Sequence, residues 1–257
     1  MNPLRVCIVT GASRGIGRAC AIRLARDFSD VVIVARNGDA LAATAESVDA
    51  AGAQALAVAI DLKDLAAPRA AVDRTLSKCG GIDALVNVAG AVPQSDLLTM
   101  TDDEWNEGLA LKLHGARRLA LAAWDALKSS GGSIVFTSGA TAYAPTAALG
   151  AVATINAAII ALSKAFSERG LVDGIQVNTI VPGPVMTDRR RTMLQKYAAR
   201  KQLPFDTAVE SFARETGISG FGLPEDIATP VAFAVSPEAQ WMTGTALRID
   251  GGEAKSA

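Results

Sequence analysis

Histidine occurs once and tyrosine twice among 257 residues, cysteine three times, and aromatic residues make up only 5%. With one histidine an ordinary His-based metal site is not expected. Cys7, Cys20 and Cys79 are odd in number and form no C-x-x-C pair. That excludes a disulfide scaffold and a zinc ribbon, and fits a reducing, cytoplasmic setting. An excess of one charge is also missing: 25 Lys+Arg stand against 26 Asp+Glu, a formal net charge of −1. A nucleic-acid partner, which wants a clearly basic domain, is not expected. Met1-Asn2-Pro3-Leu4-Arg5 lacks the basic and apolar regions of a signal peptide. No charged residue occurs from Ser129 to Ser163, a length that could span a bilayer. Gly131, Gly132, Gly139, Pro145 and Gly150 break that run into strand, loop and helix, so no membrane span is expected.

What is present is a 50% hydrophobic composition, enough at this length to bury a large core. Apolar, β-rich runs at 5–10, 31–35, 55–60, 84–88, 133–138, 175–181 and 246–249 alternate with helical patterns at 16–27, 39–51, 67–78, 102–129, 150–169 and 224–235. Several strands are apolar throughout, as when helices cover both faces. The alternation predicts a single α/β domain over 1–257, a Rossmann-type doubly wound parallel sheet of about seven strands with helices on both faces. Residues 183–222 form one long irregular insertion of the kind that serves as a lid or binding loop.

Thr10-Gly11-Ala12-Ser13-Arg14-Gly15-Ile16-Gly17 follows the first strand and opens the first helix. Gly11 permits the tight turn, Gly15 lets a phosphate approach the backbone, and the helix N-terminus offers free N–H groups to a pyrophosphate. At the end of the second strand an acidic residue would bond the ribose 2′-OH of NAD. Ala35-Arg36-Asn37 stands there instead. Arg14 and Arg36 suit a 2′-phosphate, favouring NADP(H) over NAD(H).

With these motifs the chain resembles a classical short-chain dehydrogenase/reductase over essentially its whole length. The other matching motifs are Asp61-Leu62, Asn87-Val88-Ala89-Gly90, Pro182-Gly183 and Asp250-Gly251-Gly252. The resemblance implies that Gly11, Ser13, Arg14, Ile16 and Arg36 contact the cofactor, and that Asp61 and Leu62 flank the adenine. It also implies that Asn87, Ala89 and Gly90 line the cofactor, and that Pro182, Gly183, Val185 and Thr187 hold its nicotinamide end. By the same resemblance the helices 102–129 and 150–169 pair two copies, giving a homodimer or homotetramer, and residues 250–257 reach a neighbour. A paralogous partner subunit is a further arrangement.

The family uses Asn, Ser, Tyr and Lys for proton transfer, and this sequence departs from that set at every position. Lys112 stands in the Asn position, Gly139 in the Ser position, Val152 in the Tyr position and Asn156 in the Lys position. Neither Tyr143 nor Tyr197 lies in the helix that carries the family's acid. Lys112 and Asn156 look like a reciprocal exchange, which brings an ammonium into the site from the other helix; a solvated helix lysine is the plain alternative. Tyr143, on the loop bordering the substrate pocket, could present a hydroxyl, or could simply pack. His114 reads as a polar helix residue. Tyr197-Ala198-Ala199-Arg200-Lys201 reads as a chance Tyr-x-x-x-Lys, too late in the chain for the family's geometry.

Arg189-Arg190-Arg191, Lys196, Arg200 and Lys201 put six positive charges on the insertion. They form either a solvated lid helix or an attraction for an anionic substrate such as a carboxylate or a CoA thioester. The expected function is an NADP(H)-dependent oxidoreductase acting on a small carbonyl or alcohol through a non-standard proton relay. The alternative is a catalytically inactive nucleotide-binding homologue serving as sensor or structural partner.

Overall fold

The first apolar run, β1 (Val6–Thr10), is buried along its whole length and pairs in parallel with β2 (Asp30–Ala35) and β4 (Ala84–Asn87). A strand enclosed in this way has no solvent face, which is why its sequence does not alternate. β3 (Gln54–Ala59) extends the sheet beyond β2; β5 (Ser133–Thr137), β6 (Gln176–Pro182) and β7 (Ala246–Ile249) extend it beyond β4. The order is β3-β2-β1-β4-β5-β6-β7, all parallel, and it reverses between β1 and β4, where such sheets bind ligands. Each strand agrees with its expected position to within about one residue. The structure, a computed structural model, describes residues 5–255. Residues 1–4, which carry most of the signal-peptide reading, and residues 256–257 of the tail lie outside the described residues.

α1 (Gly15–Leu24), α2 (Gly38–Ala50) and the later helix Pro224–Ala234 cover one face of the sheet, burying Leu24, Leu41, Val48 and Val231. α3 (Ala67–Cys79), followed in the chain by α4 (Asp102–Gly108), α5 (Ala116–Ser130) and α6 (Gly150–Asp173), starts the other layer. There α3, α5 and α6 bury Val72, Leu119, Leu127 and Ile159 around Phe136. By length and composition α6 could cross a membrane. Here it packs on β5 and β6, and turns Thr154, Ala157, Ala161 and Ala165 to the outside.

Two sequence expectations are corrected. Residues 102–129 are not one regular helix. α4, opened by a capping box between Thr101 and Glu104, runs through a π-helical turn at Leu109–Gly115 into α5. π-Helical turns recur at functional sites, and this one carries Lys112 at its centre. Nor are residues 183–222 irregular. They fold into α7 (Asp188–Lys201) and α8 (Phe205–Thr216), which pack together around Tyr197, Ala198 and Ala208. Only Leu194, Tyr197 and Ala198 of α7 are buried, so its sequence carries little apolar periodicity. Helix Pro224–Ala234 follows as α9.

Candidate active site

The glycine turn is clamped to the end of β4. Thr10 Oγ1 accepts from the backbone N–H groups of Val88 and Ala89 at 3.0 and 2.9 Å, and Thr44 Oγ1 donates to Ala12 O at 3.1 Å. Gly11 sits at φ +67°, and a Cβ there would come within 3.0 Å of the Ala89 backbone. Turn and β4 loop approach as closely as they do because residue 11 has no side chain. α1 begins without a side-chain cap and without an acidic residue in its first turn. Its first N–H groups and positive dipole end are left for an anion.

A groove of about 560 Å³ runs over this turn. Gly11, Ser13, Arg14, Ile16, Arg36, Asp61, Leu62, Ala89, Gly90 and Thr187 line it, so the structure gathers these sequence candidates in one place. Arg14 and Arg36 are exposed, and Arg36 Nη1 lies 3.8 Å from Asp61 Oδ2. Asn87 lies beneath, 4% exposed, with both amide atoms lacking a hydrogen-bond partner. An orphaned buried amide is costly, about 1–3 kcal/mol per group. Uncapped helix end, two exposed guanidinium groups in one groove and orphan amide fit a phosphate-bearing dinucleotide. The remaining candidates separate from the groove. Pro182 is buried at the end of β6, and Gly183 and Val185 line a second cavity of about 400 Å³ with Phe221, Asp226 and Asp250.

Against Gly90, which lines the groove, stands Lys112. Its stem lies on Gly90, where an added Cβ would sit 3.0 Å from Lys112 Cδ. Lys112 Nζ donates to Asn156 Oδ1 at 2.5 Å and to Ser138 O at 3.2 Å. Burial, with a contribution from the Arg189 guanidinium, pulls this ammonium down from 10.5 to about 8. Asn156 Nδ2 donates to Thr141 Oγ1 at 2.8 Å, and Ser138 Oγ donates to Asn156 O at 2.7 Å. A Cβ on Gly139 would lie 2.7 Å from Asn156 Nδ2, so Gly139 leaves the space that the Asn156 amide fills. One N–H of that amide is engaged by Thr141; the other has no partner among the described residues.

The other candidates lie apart from this cluster. Tyr143 places its ring against the Arg248 guanidinium on β7 at 5.4 Å, and no hydrogen bond joins it to Lys112 or Asn156 among the described residues. Val152 joins an apolar cluster with Val92, Ala151 and Ile155. His114 is half-buried, its pKa lowered by burial and by Arg118 and Arg117. Tyr197 packs edge-on against Phe212 between α7 and α8, so its Tyr-x-x-x-Lys spacing serves packing. Thr141 was not among the sequence candidates, because it carries no local pattern and owes its place to tertiary contacts; Asn87 was, but that its amide lacks a partner shows only in the fold.

Residues 11–253 match a family model described as enoyl-(acyl carrier protein) reductase. The chain is 33% identical over 247 residues to the short-chain reductase protein NovJ of Streptomyces niveus, covering 96% of this chain and 93% of that protein. Among solved structures it resembles L-sorbose reductase of Gluconobacter frateurii complexed with NADPH and L-sorbose. That likeness has a TM-score of 0.94 at 29% identity, covering 99% of this chain and 98% of the other. A short-chain dehydrogenase of Burkholderia cenocepacia in complex with NADP is 34% identical with a TM-score of 0.85, covering 97% of each chain.

Proposed function

The chain belongs to the short-chain dehydrogenase/reductase family, and on that premise we propose that it is an NADP(H)-dependent oxidoreductase of a small carbonyl or alcohol, with Lys112 as its proton donor and acceptor. The observation that carries this reading is the position of Lys112. Its stem rests on groove-lining Gly90, and its Nζ hydrogen-bonds Asn156 in a half-buried site. NADPH, when bound, supplies the hydride, and the protein supplies position and the proton. Arg14 and Arg36 would hold the 2′-phosphate, and the N-terminus of α1 would hold the pyrophosphate.

The free N–H of Asn156 donates to the substrate carbonyl oxygen and fixes its direction. Lys112 Nζ would pass its proton to that oxygen as the carbonyl is reduced. The amine left behind regains its proton from solvent. An amine whose pKa is brought near the working pH is suited to this exchange in both directions. Tyr143 is a lesser candidate donor, an unassisted phenol set against Arg248.

NADP(H) preference is supported by the two guanidinium groups and by the NADPH- and NADP-bound relatives. The inactive alternative gains nothing from these relatives, whose names are those of reductases and dehydrogenases. The outward face of α6, with the small residues Ala157, Ala161 and Ala165, supports a homo-oligomer. The direct test follows NADPH oxidation against a panel of small ketones and aldehydes. Turnover is expected in the wild type, with a loss of about 10²–10⁴-fold in Lys112→Gln. Equal turnover in the variant contradicts the assignment.

A further inference from the structure

The six cations of the insertion do not act alike. Arg190 lies over the Phe221 ring at 5.9 Å, with Glu253 near enough to oppose the effect of burial on it. Arg191 lies over Phe205 at 5.7 Å. Arg200 and Lys201 lie over the Tyr197 ring at 5.8 and 5.7 Å, and Lys201 Nζ is also 3.4 Å from Glu215 Oε1. Arg191 and Lys201 thus join α7 to α8, Arg190 joins it to the segment after α8, and Arg200 packs on a ring of its own helix. Lys196 is exposed on the same helix.

Arg189 differs. It stands in the first turn of α7 and lines the groove beside Thr187 and Asp188. Its hydrogen bond is a long one, 3.5 Å from Nη2 to Val92 O, and no carboxylate pairs with it among the described residues. The same holds for Lys112, whose partners are a carbonyl and an amide oxygen. Arg189 in the groove and Lys112 beside Gly90 are thus two cations near one another with no ion-pair partner among the described residues; the start of α7 itself is capped by Thr187 and carries Asp188.

We infer that Arg189 and Lys112 form an anion-reading site, and that the substrate carries a carboxylate close to its reacting carbonyl, as in a 2-oxo or 3-oxo acid. This rests on the reductase reading for the carbonyl, while the carboxylate contact stands on Arg189 itself. A guanidinium accepts a carboxylate in a bidentate, charge-assisted pair. That pair orients the acid, while Asn156 orients its carbonyl. The cofactor's pyrophosphate offers the same negative oxygens, so the test must separate the two sources.

Calorimetric titration with pyruvate, acetoacetate and their methyl esters, with and without NADP⁺, makes that separation. At least one acid is expected to bind saturably and at least tenfold more tightly than its ester. Arg189→Gln is expected to weaken the acid by about tenfold or more while changing NADP⁺ binding less than about twofold. Arg189→Lys, which keeps the charge and loses the fork, should fall between them. Absence of acid binding, equal binding of the ester, or an Arg189→Gln loss confined to NADP⁺ overturns the inference. Acid binding as expected without any NADPH oxidation leaves the anion site standing and refutes the reductase reading.

Discussion

Lys112 Nζ donates to Asn156 Oδ1 at 2.5 Å, joining the π-helical turn between α4 and α5 to the second turn of α6. The bond depends on two glycines: Gly90 admits the lysine stem, and Gly139 admits the asparagine amide. Four positions therefore act as one unit, and changing one should disturb the rest.

Gly139→Ala tests that dependence. Its Cβ would arrive 2.7 Å from Asn156 Nδ2, so the amide must move. Overpacking of this kind costs about 1–3 kcal/mol. A lowered unfolding temperature and a lowered kcat are both expected, with NADPH binding close to that of the wild type. A variant as stable and active as the wild type contradicts the packing argument.

Cofactor preference should reside in Arg36 and Arg14. A hydrogen bond to a charged group contributes about 1.5–3 kcal/mol, so Arg36→Gln should weaken NADPH by roughly tenfold or more and leave NADH nearly unchanged. In the wild type, NADPH at about 100 times its Kd should stabilise the fold by about 2.7 kcal/mol, readable as a shift in the unfolding temperature. Equal shifts with both nucleotides, or an equal loss of both in the variant, would refute phosphate reading by Arg36.

Asp173 is the structural anchor between α5 and α6. Its carboxylate, 3% exposed, accepts from Lys128 Nζ at 2.7 Å, Trp124 Nε1 at 2.9 Å and Arg169 Nε at 2.7 Å. Hydrogen bonds from Lys128, Trp124 and Arg169 hold its pKa well below the usual carboxylate range. A pKa lowered by folding stabilises the protein above the unfolded value, and that contribution fades as pH falls toward the folded one. Asp173→Asn should therefore lower the unfolding temperature near neutral pH, with the deficit shrinking on acidification below the usual carboxylate range. A pH-independent deficit would assign the loss to packing alone.

The sheet was legible because buried parallel strands leave continuous apolar runs, and Val6–Thr10 and Asp30–Ala35 show this directly. The cofactor end was legible because Gly11 and the open start of α1 follow from backbone requirements that only a few sequences meet. The π-helical turn at Leu109–Gly115 was hidden, since its residues continue an ordinary helical pattern. α7 and α8 were hidden for the opposite reason: their contacts are mostly with each other, and α7 buries too few residues to mark a face. That Lys112 and Asn156 meet could be expected from their positions in the chain. Thr141 could not, because its part depends on where the Asn156 amide points.

The pH dependence of kcat/KM for NADPH-dependent reduction, in the wild type and in Lys112→Gln, tests the central assignment most directly. If Lys112 is the proton donor proposed, carbonyl reduction needs it protonated, and burial together with Arg189 brings its pKa down to about 8. The wild-type profile should be level at lower pH and fall about tenfold per pH unit above that value, while the variant is slow and lacks this limb. A wild-type profile with no such limb, or a variant that keeps both limb and rate, would show that the proton comes from another group.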